Sequence, residues 1–367
     1  MKKIGVGIIG ANPERSWAAL AHIPALLALP QYEVIALSTS RPESAIAAER
    51  AYGIPSYGDA ARILQHPDVA LVVVSVKVPN HFELVSGALD AGKMVYCEWP
   101  LAIDVDQASV LEEKARRMGI RTVVGLQGRY APAVQHARRL IDDGYIGEIL
   151  STTLVGSGMA WGGVTSSSGA YLFDEANGAT TLSVPLMHAL DTLTHVVGEF
   201  EMVQCLTAIR RPFVQVRDTG AQVAVTAPDQ VSVSGRLLNG ALASIYYRGG
   251  LSRAGDLYWQ INGSKGDLAF AANMGNIQTA ELQLLGGRNE DQTVAPIQVP
   301  DEMEGRAPGS FAANVYRLYS QLASDLEHGT KVAPDFGYAL ARHRLLDAIS
   351  LARRKPCVAV GGLEIVS

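Results

Sequence analysis

A strand-like run, Ile4 to Ile9, ends in Gly10-Ala11-Asn12-Pro13-Glu14-Arg15-Ser16, after which Trp17 to Leu29 reads as a helix. A strand, a glycine turn and a helix start form the first half of a nucleotide-binding βαβ unit, whose free amides receive a pyrophosphate. Only Gly10 is kept from the G-x-G-x-x-G fingerprint, with Asn12 and Arg15 at the later glycine places. Asparagine tolerates the left-handed region better than most residues, so Asn12 is expected to make the tight turn there and Arg15 to reach a phosphate. The alternative is a plain structural turn.

The next strand, Glu33 to Leu37, runs into Ser38-Thr39-Ser40-Arg41. An NAD site usually places an acidic residue here for the ribose hydroxyls, whereas hydroxyls and a guanidinium suit a 2′-phosphate. That favours NADP, or tolerance of both NADP and NAD. Ser40 to Glu43 serve equally as a helix cap. Further on, Met94-Val95-Tyr96 leads through Cys97-Glu98 into Trp99-Pro100, ahead of a helical segment from about Asp104 to Met118. Proline biases Trp99 towards extended backbone, at the strand end where an open parallel sheet collects ligands. A neutral indole there floors a pocket or packs under a ring. It cannot shuttle a proton.

Elements that position these residues follow in order. Val69 to Val76 is a continuous apolar run, as in a strand buried on both faces, and Lys77-Val78-Pro79-Asn80-His81 opens the helix after it. Strand and helix alternate as far as the strand Thr122 to Leu126, which predicts an α/β, doubly wound Rossmann domain over 1–126. Beyond it, Val231-x-Val233-x-Gly235 and Ala241-x-Ala243-x-Ile245-x-Tyr247 alternate as half-buried strands around an Asn239-Gly240 turn. Leu257 to Ile261 and Glu281 to Leu285 read as further strands, and Ala313 to Glu327 and Tyr338 to Arg353 as closing amphipathic helices. Gly156 to Gly169, rich in Gly and Ser and holding Trp161, is expected to be a mobile loop near the pocket.

Composition excludes several classes. A net charge of −5 over 367 residues, with no basic arm, gives no drive towards nucleic acid. Three widely spaced cysteines (Cys97, Cys205 and Cys357) suit a reducing cytosol, not a disulfide framework or a metal cluster. The N-terminus does not read as a signal peptide, and no apolar run reaches the roughly 20 residues of a membrane span. A cytoplasmic protein is expected.

Several motifs taken together resemble the Gfo/Idh/MocA oxidoreductase family: Gly10, Pro79-Asn80-His81, Ala91-Gly92-Lys93, Glu98-x-Pro100-Leu101-Ala102, Gln127-Gly128-Arg129-Tyr130, Gly144 to Ile149, His188-x-x-Asp191 and Gly263 to Leu268. Ser16-Trp17-Ala18 and Glu98-Trp99 are similar to its fungal galactose-regulon repressor branch. The resemblance implies a Rossmann domain followed by a C-terminal α/β domain, 127–367, with a large, mainly antiparallel sheet. It implies NAD(P) held by Gly10, Asn12, Arg15, Ser16, Trp17, Ser38, Ser40, Arg41, Val76, Pro79, Asn80, His81, Glu98, Trp99 and Gln127. A sugar-like substrate or effector and a homodimer or homotetramer through the exposed face of the second sheet are also implied.

Family enzymes carry a lysine where this chain has Trp99, and an aspartate four residues before the histidine, where it has Val184. His188 alone remains of that trio, with Asp191 one helical turn on, and a histidine still serves as a base. Lys77, His81 and Tyr171 are substitute candidates. Two functions stay open: an NAD(P)-dependent sugar or polyol oxidoreductase, and a non-catalytic NAD(P)-binding regulator that acts on a protein partner.

Overall fold

The computed structural model describes residues 3–14, 16–300, 303 and 307–355; Arg15 and Cys357 lie outside them. Strands β1 (Ile4–Ile9), β2 (Tyr32–Ser38), β3 (Ser56–Tyr57), β4 (Leu71–Val74), β5 (Met94–Glu98) and β6 (Thr122–Gly125) form one sheet in the order 3-2-1-4-5-6. Every pair in it is parallel. Each strand must therefore return by a crossover, and helices cover both faces, which is why β4 reads as unbroken Leu-Val-Val-Val. Along β4 the faces alternate: Val72 and Val74 pack with Ala108 and Leu111, Leu71 and Val73 with Ala18, Ala21 and Leu26. The helix expected from Trp17 begins as a π-helical turn, Ala18–His22, before α-helix Ile23–Leu27. Pro24 has no N–H to give to a regular ladder.

The second sheet holds eight strands: β7 (Ile149–Gly158), β9 (Phe200–Ala208), β12 (Gln230–Leu237), β13 (Leu242–Gly249), β14 (Leu257–Gly263), β15 (Gly266–Ala272), β16 (Gln283–Arg288) and β17 (Ala295–Pro296), in the order 17-16-15-14-7-13-12-9. Only β7 with β13 is parallel. The β12–β13 hairpin turns at Asn239-Gly240, where Gly240 takes φ +88°. Val231, Val233, Ile245, Tyr247, Leu154 and Trp259 line the buried face. In register on the other, Leu206, Ser232, Tyr246, Val155 and Tyr258 form an open row.

A small third sheet joins β8 (Val164–Thr165), β10 (Phe213–Val216) and β11 (Gln222–Ala224). The expected loop 156–169 is thus partly ordered structure. Gly156–Gly158 complete β7, where a Cβ at Gly156 would enter the Tyr247 ring, and Trp161 is buried with its Nε1 donating to Ala179 O at 3.1 Å. The last helices, Ser310–His328 and Phe336–Ala352, return to the first domain: Val315, Leu318 and Tyr319 share a core with Val6, Ile8 and Val73.

Candidate functional site

The loop after β1 sits against the end of β4. Gly10 has φ +102°, and a Cβ there would overlap the Ser75 carbonyl oxygen, so only glycine fits. The amides of Gly10 and Ala11 both donate to Ser38 O, at 2.8 and 3.0 Å. Asn12 departs from expectation, since no described residue other than glycine has positive φ. It turns the chain through its side chain, Oδ1 accepting from Glu14 N at 2.9 Å. Ser16 Oγ accepts from Ala19 N at 3.0 Å and donates to Asn12 O, which caps the coming helix. Ser38, the last residue of β2, is buried, while Ser40 and Arg41 beyond it are exposed. Arg41 precedes helix Pro42–Tyr52 without a side-chain capping bond, and the cap-like contacts are those of Ser44 Oγ to Arg41 O and Thr39 Oγ1.

At the carboxyl ends of β4 and β6, and just past the β1 loop, Ser75 Oγ, Gln127 Oε1 and Trp17 Nε1 are buried with no hydrogen-bond partner, and at the end of β5 Glu98 Oε1 has only His22 Nε2, 3.1 Å away and not aligned for a hydrogen bond. Buried polar atoms are rarely left so, and these four lie along the line a dinucleotide takes across such a sheet. With the bare Gly10, they fit an NAD(P) molecule. Trp17 is braced edge-on by Phe311, ring centroids 6.3 Å apart.

Val76 is half-buried, and Lys77, Pro79 and Asn80 are exposed on the loop after β4. Asn80 ends a short 3₁₀ turn and makes no side-chain cap to helix His81–Asp90. Lys77 reaches across to the second domain, its Nζ 4.5 Å from the Tyr171 ring centre. His81 is buried, with Nδ1 2.8 Å from Pro100 O and Nε2 3.1 Å from Val76 O. Burial, against weaker opposing effects of those carbonyls, lowers its pKa and leaves one ring proton to share. His81 is thus a brace between two loops.

The Trp99–Pro100 peptide is cis, and the indole is buried rather than laid open as a pocket floor. Its Nε1 donates to Ser183 O at 2.8 Å, and its ring lies 4.7 Å from that of His343. Ser183 and Val184 belong to a π-helical turn, Leu182–Leu186, which leads into helix Met187–Val197. That helix carries His188, buried, with Nδ1 unpartnered. Burial pushes His188 down to about 4, against opposing pulls from Glu98 and then Asp191. So His188 is neutral at pH 7.

Asp191 does not serve His188 by a hydrogen bond. Its carboxylate takes Arg129 Nη2 at 2.5 Å, Arg129 Nε at 3.2 Å and the Tyr338 hydroxyl at 2.8 Å. Burial disfavours the Arg129 charge, but Asp191 more than restores it, so the guanidinium stays protonated. Arg129 and Tyr338 are absent from the expected site. Arg129 stood in a quoted motif with no role, and nothing local in the sequence links it to a tyrosine more than two hundred residues on.

Residues 4–126 match the model of the oxidoreductase family with NAD-binding Rossmann fold (Gfo/Idh/MocA), and residues 132–272 match that of the C-terminal domain of Gal80p. The galactose/lactose metabolism regulatory protein GAL80 of Kluyveromyces lactis is 30% identical, over 77% of this chain and 67% of that protein. Levoglucosan dehydrogenase of Pseudarthrobacter phenanthrenivorans is 29% identical, over 74% of each. A crystal structure of a super-repressor mutant of Gal80p from Saccharomyces cerevisiae superposes with a TM-score of 0.86 at 25% identity, covering 96% of both chains. The chain belongs to the Gfo/Idh/MocA oxidoreductase family, with an NAD-binding Rossmann domain and a Gal80-type second domain.

Proposed function

We propose that the protein is an NAD(P)-dependent dehydrogenase of a sugar, polyol or related ring alcohol, with His188 as the acceptor of the carbinol proton. The observation that carries this is the His188 imidazole: buried, neutral at pH 7 and with a free Nδ1. When bound, the nicotinamide ring supplies the hydride acceptor. His188 would take the carbinol O–H proton as the hydride leaves and the C–O bond becomes a carbonyl. Glu98 lies near enough to favour the imidazolium so formed. Trp99 takes no proton; it seals the site against water. Lys77, exposed with its Nζ over the Tyr171 ring, is the second residue assigned to catalysis in this reading. Exposed Ser40 and Arg41 suit a 2′-phosphate, which supports use of NADP as well as NAD.

The division at residue 126, with substrate binding and assembly assigned to 127–367, is part of this reading. Assembly uses the open face of the second sheet, where Met202, Leu206, Leu242, Tyr246 and Tyr258 are all exposed. A homodimer or homotetramer is the arrangement that covers it. Among the described residues no helix is long and apolar enough to cross a membrane, and we place the protein in the cytoplasm.

A second reading, a regulator that binds NAD(P) and signals through protein contacts, is favoured by one observation. The Trp99 indole is tied to Ser183 O, and on this reading it replaces the lysine of the family's motif. Titration with NADH and NADPH, followed by a screen of sugars and polyols for reduced cofactor, separates the two. Turnover that His188→Asn lowers by about 10²-fold or more supports the dehydrogenase. Tight cofactor binding with no turnover across the panel sinks it and leaves the regulator.

A further inference from the structure

The Glu98 carboxylate meets an imidazole that no step above uses. His22, wholly buried in the π-helical turn, holds Nε2 3.1 Å from Glu98 Oε1 and Nδ1 2.8 Å from the Tyr319 hydroxyl. His22 Nε2 and Glu98 Oε1 lie within contact distance without being aligned for a hydrogen bond, and neither has another hydrogen-bond partner. The Tyr319 ring is fixed on both sides, its centroid 5.0 Å from that of Tyr96 and 5.4 Å from that of Tyr32. On its far side Glu98 lies over bare Gly125, where a Cβ would strike the carboxylate at 2.5 Å. So a side chain ending at the carboxyl edge of β5 is gripped between a glycine and a histidine, with a tyrosine behind the histidine.

The proton positions follow. Burial, and then Glu98 itself, push the Tyr319 phenol well above its usual range, so the hydroxyl keeps its proton. A tyrosine that donates to His22 Nδ1 requires the proton-bearing ring nitrogen to be Nε2, the one beside Glu98. The remaining groups that feel Glu98 are Tyr96, His81, Cys97 and His188. The first three are kept neutral by burial. His188 is felt by two carboxylates: Asp191, engaged by Arg129 and Tyr338, and Glu98, which among the described residues has no ion pair with a lysine or arginine.

We propose that His22 and Tyr319 are positioning residues, which hold the Glu98 carboxylate in place as the counter-charge for the proton taken up at His188. The carboxylate reaches the site from the first domain, whereas position 184 of the second domain is a valine and Asp191 is engaged by Arg129 and Tyr338. The use of that charge rests on the reading of His188 as proton acceptor; the grip on Glu98 does not.

The test uses the full-length protein with ¹⁵N-labelled histidine and no cofactor, and reads the His22 tautomer at neutral pH from long-range ¹⁵N–¹H spectra. The Nε2–H form is expected in the wild type, with loss of that single tautomer in Tyr319→Phe; an Nδ1–H form in the wild type would overturn the proposal. On the turning-over enzyme, Glu98→Gln should lower kcat about tenfold with KM little changed, and move the acid limb of kcat/KM to lower pH. His22→Gln, which keeps an N–H near the Nε2 place, should rescue what His22→Leu loses. Should His22→Leu fail to fold, Tyr319→Phe, which removes one oxygen, makes the same comparison. An active enzyme whose acid limb does not move in Glu98→Gln refutes the counter-charge. A protein with no turnover refutes the role of His188, while the tautomer still decides whether Glu98 is held.

Discussion

Replacing Arg129 by Met keeps most of its bulk but strands the carboxylate of Asp191, which is 1% exposed. Two of the three hydrogen bonds to that carboxylate come from Arg129, leaving only the Tyr338 hydroxyl at 2.8 Å. Breaking a buried ion pair from one side costs about 3–5 kcal/mol. The guanidinium also lies 4.2 Å from the centre of the Tyr338 ring, a contact worth about 0.5–2 kcal/mol. Because Tyr338 still donates to the stranded charge, the expected loss for Arg129→Met is about 4 kcal/mol, towards the lower end of the combined range of about 3.5–7 kcal/mol. The double variant Arg129→Met/Asp191→Leu removes both charges and should lose about 2–3 kcal/mol less than the sum of the two single losses, the coupling expected of residues in direct contact. Urea unfolding followed by tryptophan fluorescence, with equal slopes across the four proteins, measures this cycle. A single variant within about 1 kcal/mol of the wild type would refute the reasoning, as would a double variant no better than the sum of the singles.

Gly10→Ala, which drives a methyl into the Ser75 carbonyl at a φ of +102°, should abolish NADH binding in a fluorescence titration. Near-normal affinity would remove Gly10 from the cradle. Arg41→Ala should weaken NADPH more than NADH; an equal loss for both would reject the 2′-phosphate role. Acid should destabilise the fold through its buried histidines. Burial, and then His81 nearby, push His343 down to about 3 from an ordinary 6.5, so the unfolded chain takes the proton first. His343 therefore stabilises fully above about pH 6.5, and that contribution drains away as pH falls towards 3. His343→Leu should flatten the fall in stability by about 1.4 kcal/mol per pH unit in that window, as read by unfolding at a series of pH values. An unchanged slope would show that His343 is not held neutral.

Much of the fold was legible because strand periodicity is local. Leu71–Val74 announces a doubly covered strand, and the alternation at Val231–Gly235 a half-covered one, without knowledge of any partner. Gly10 was legible for the same reason, as a strand end beside a helix start. What stayed hidden depends on distant neighbours. Asn12 stays out of the left-handed region because its own side chain closes the turn. Asp191 shares a helix face with His188, yet its partners come from residues 129 and 338. Trp99 reads as a pocket floor until Ser183 and His343 are seen to enclose it. His22 carries no motif at all, and its meaning appears only when Glu98 and Tyr319 close around it.

The helix Ser310–His328 fixes an order of events during synthesis. Ala312, Val315, Leu318, Tyr319 and Leu322 cover the same apolar face of the Rossmann sheet that Val6, Ile8, Leu71 and Val73 present. A ribosome has made all six strands of that sheet nearly two hundred residues before it supplies this cover. Through that interval the nascent chain carries a half-clad sheet, open to chaperones and to its own kind. The cofactor cradle at the front of the sequence is thus completed at the back, and a chain cut before Ser310 should emerge as insoluble material rather than as a smaller NAD-binding protein.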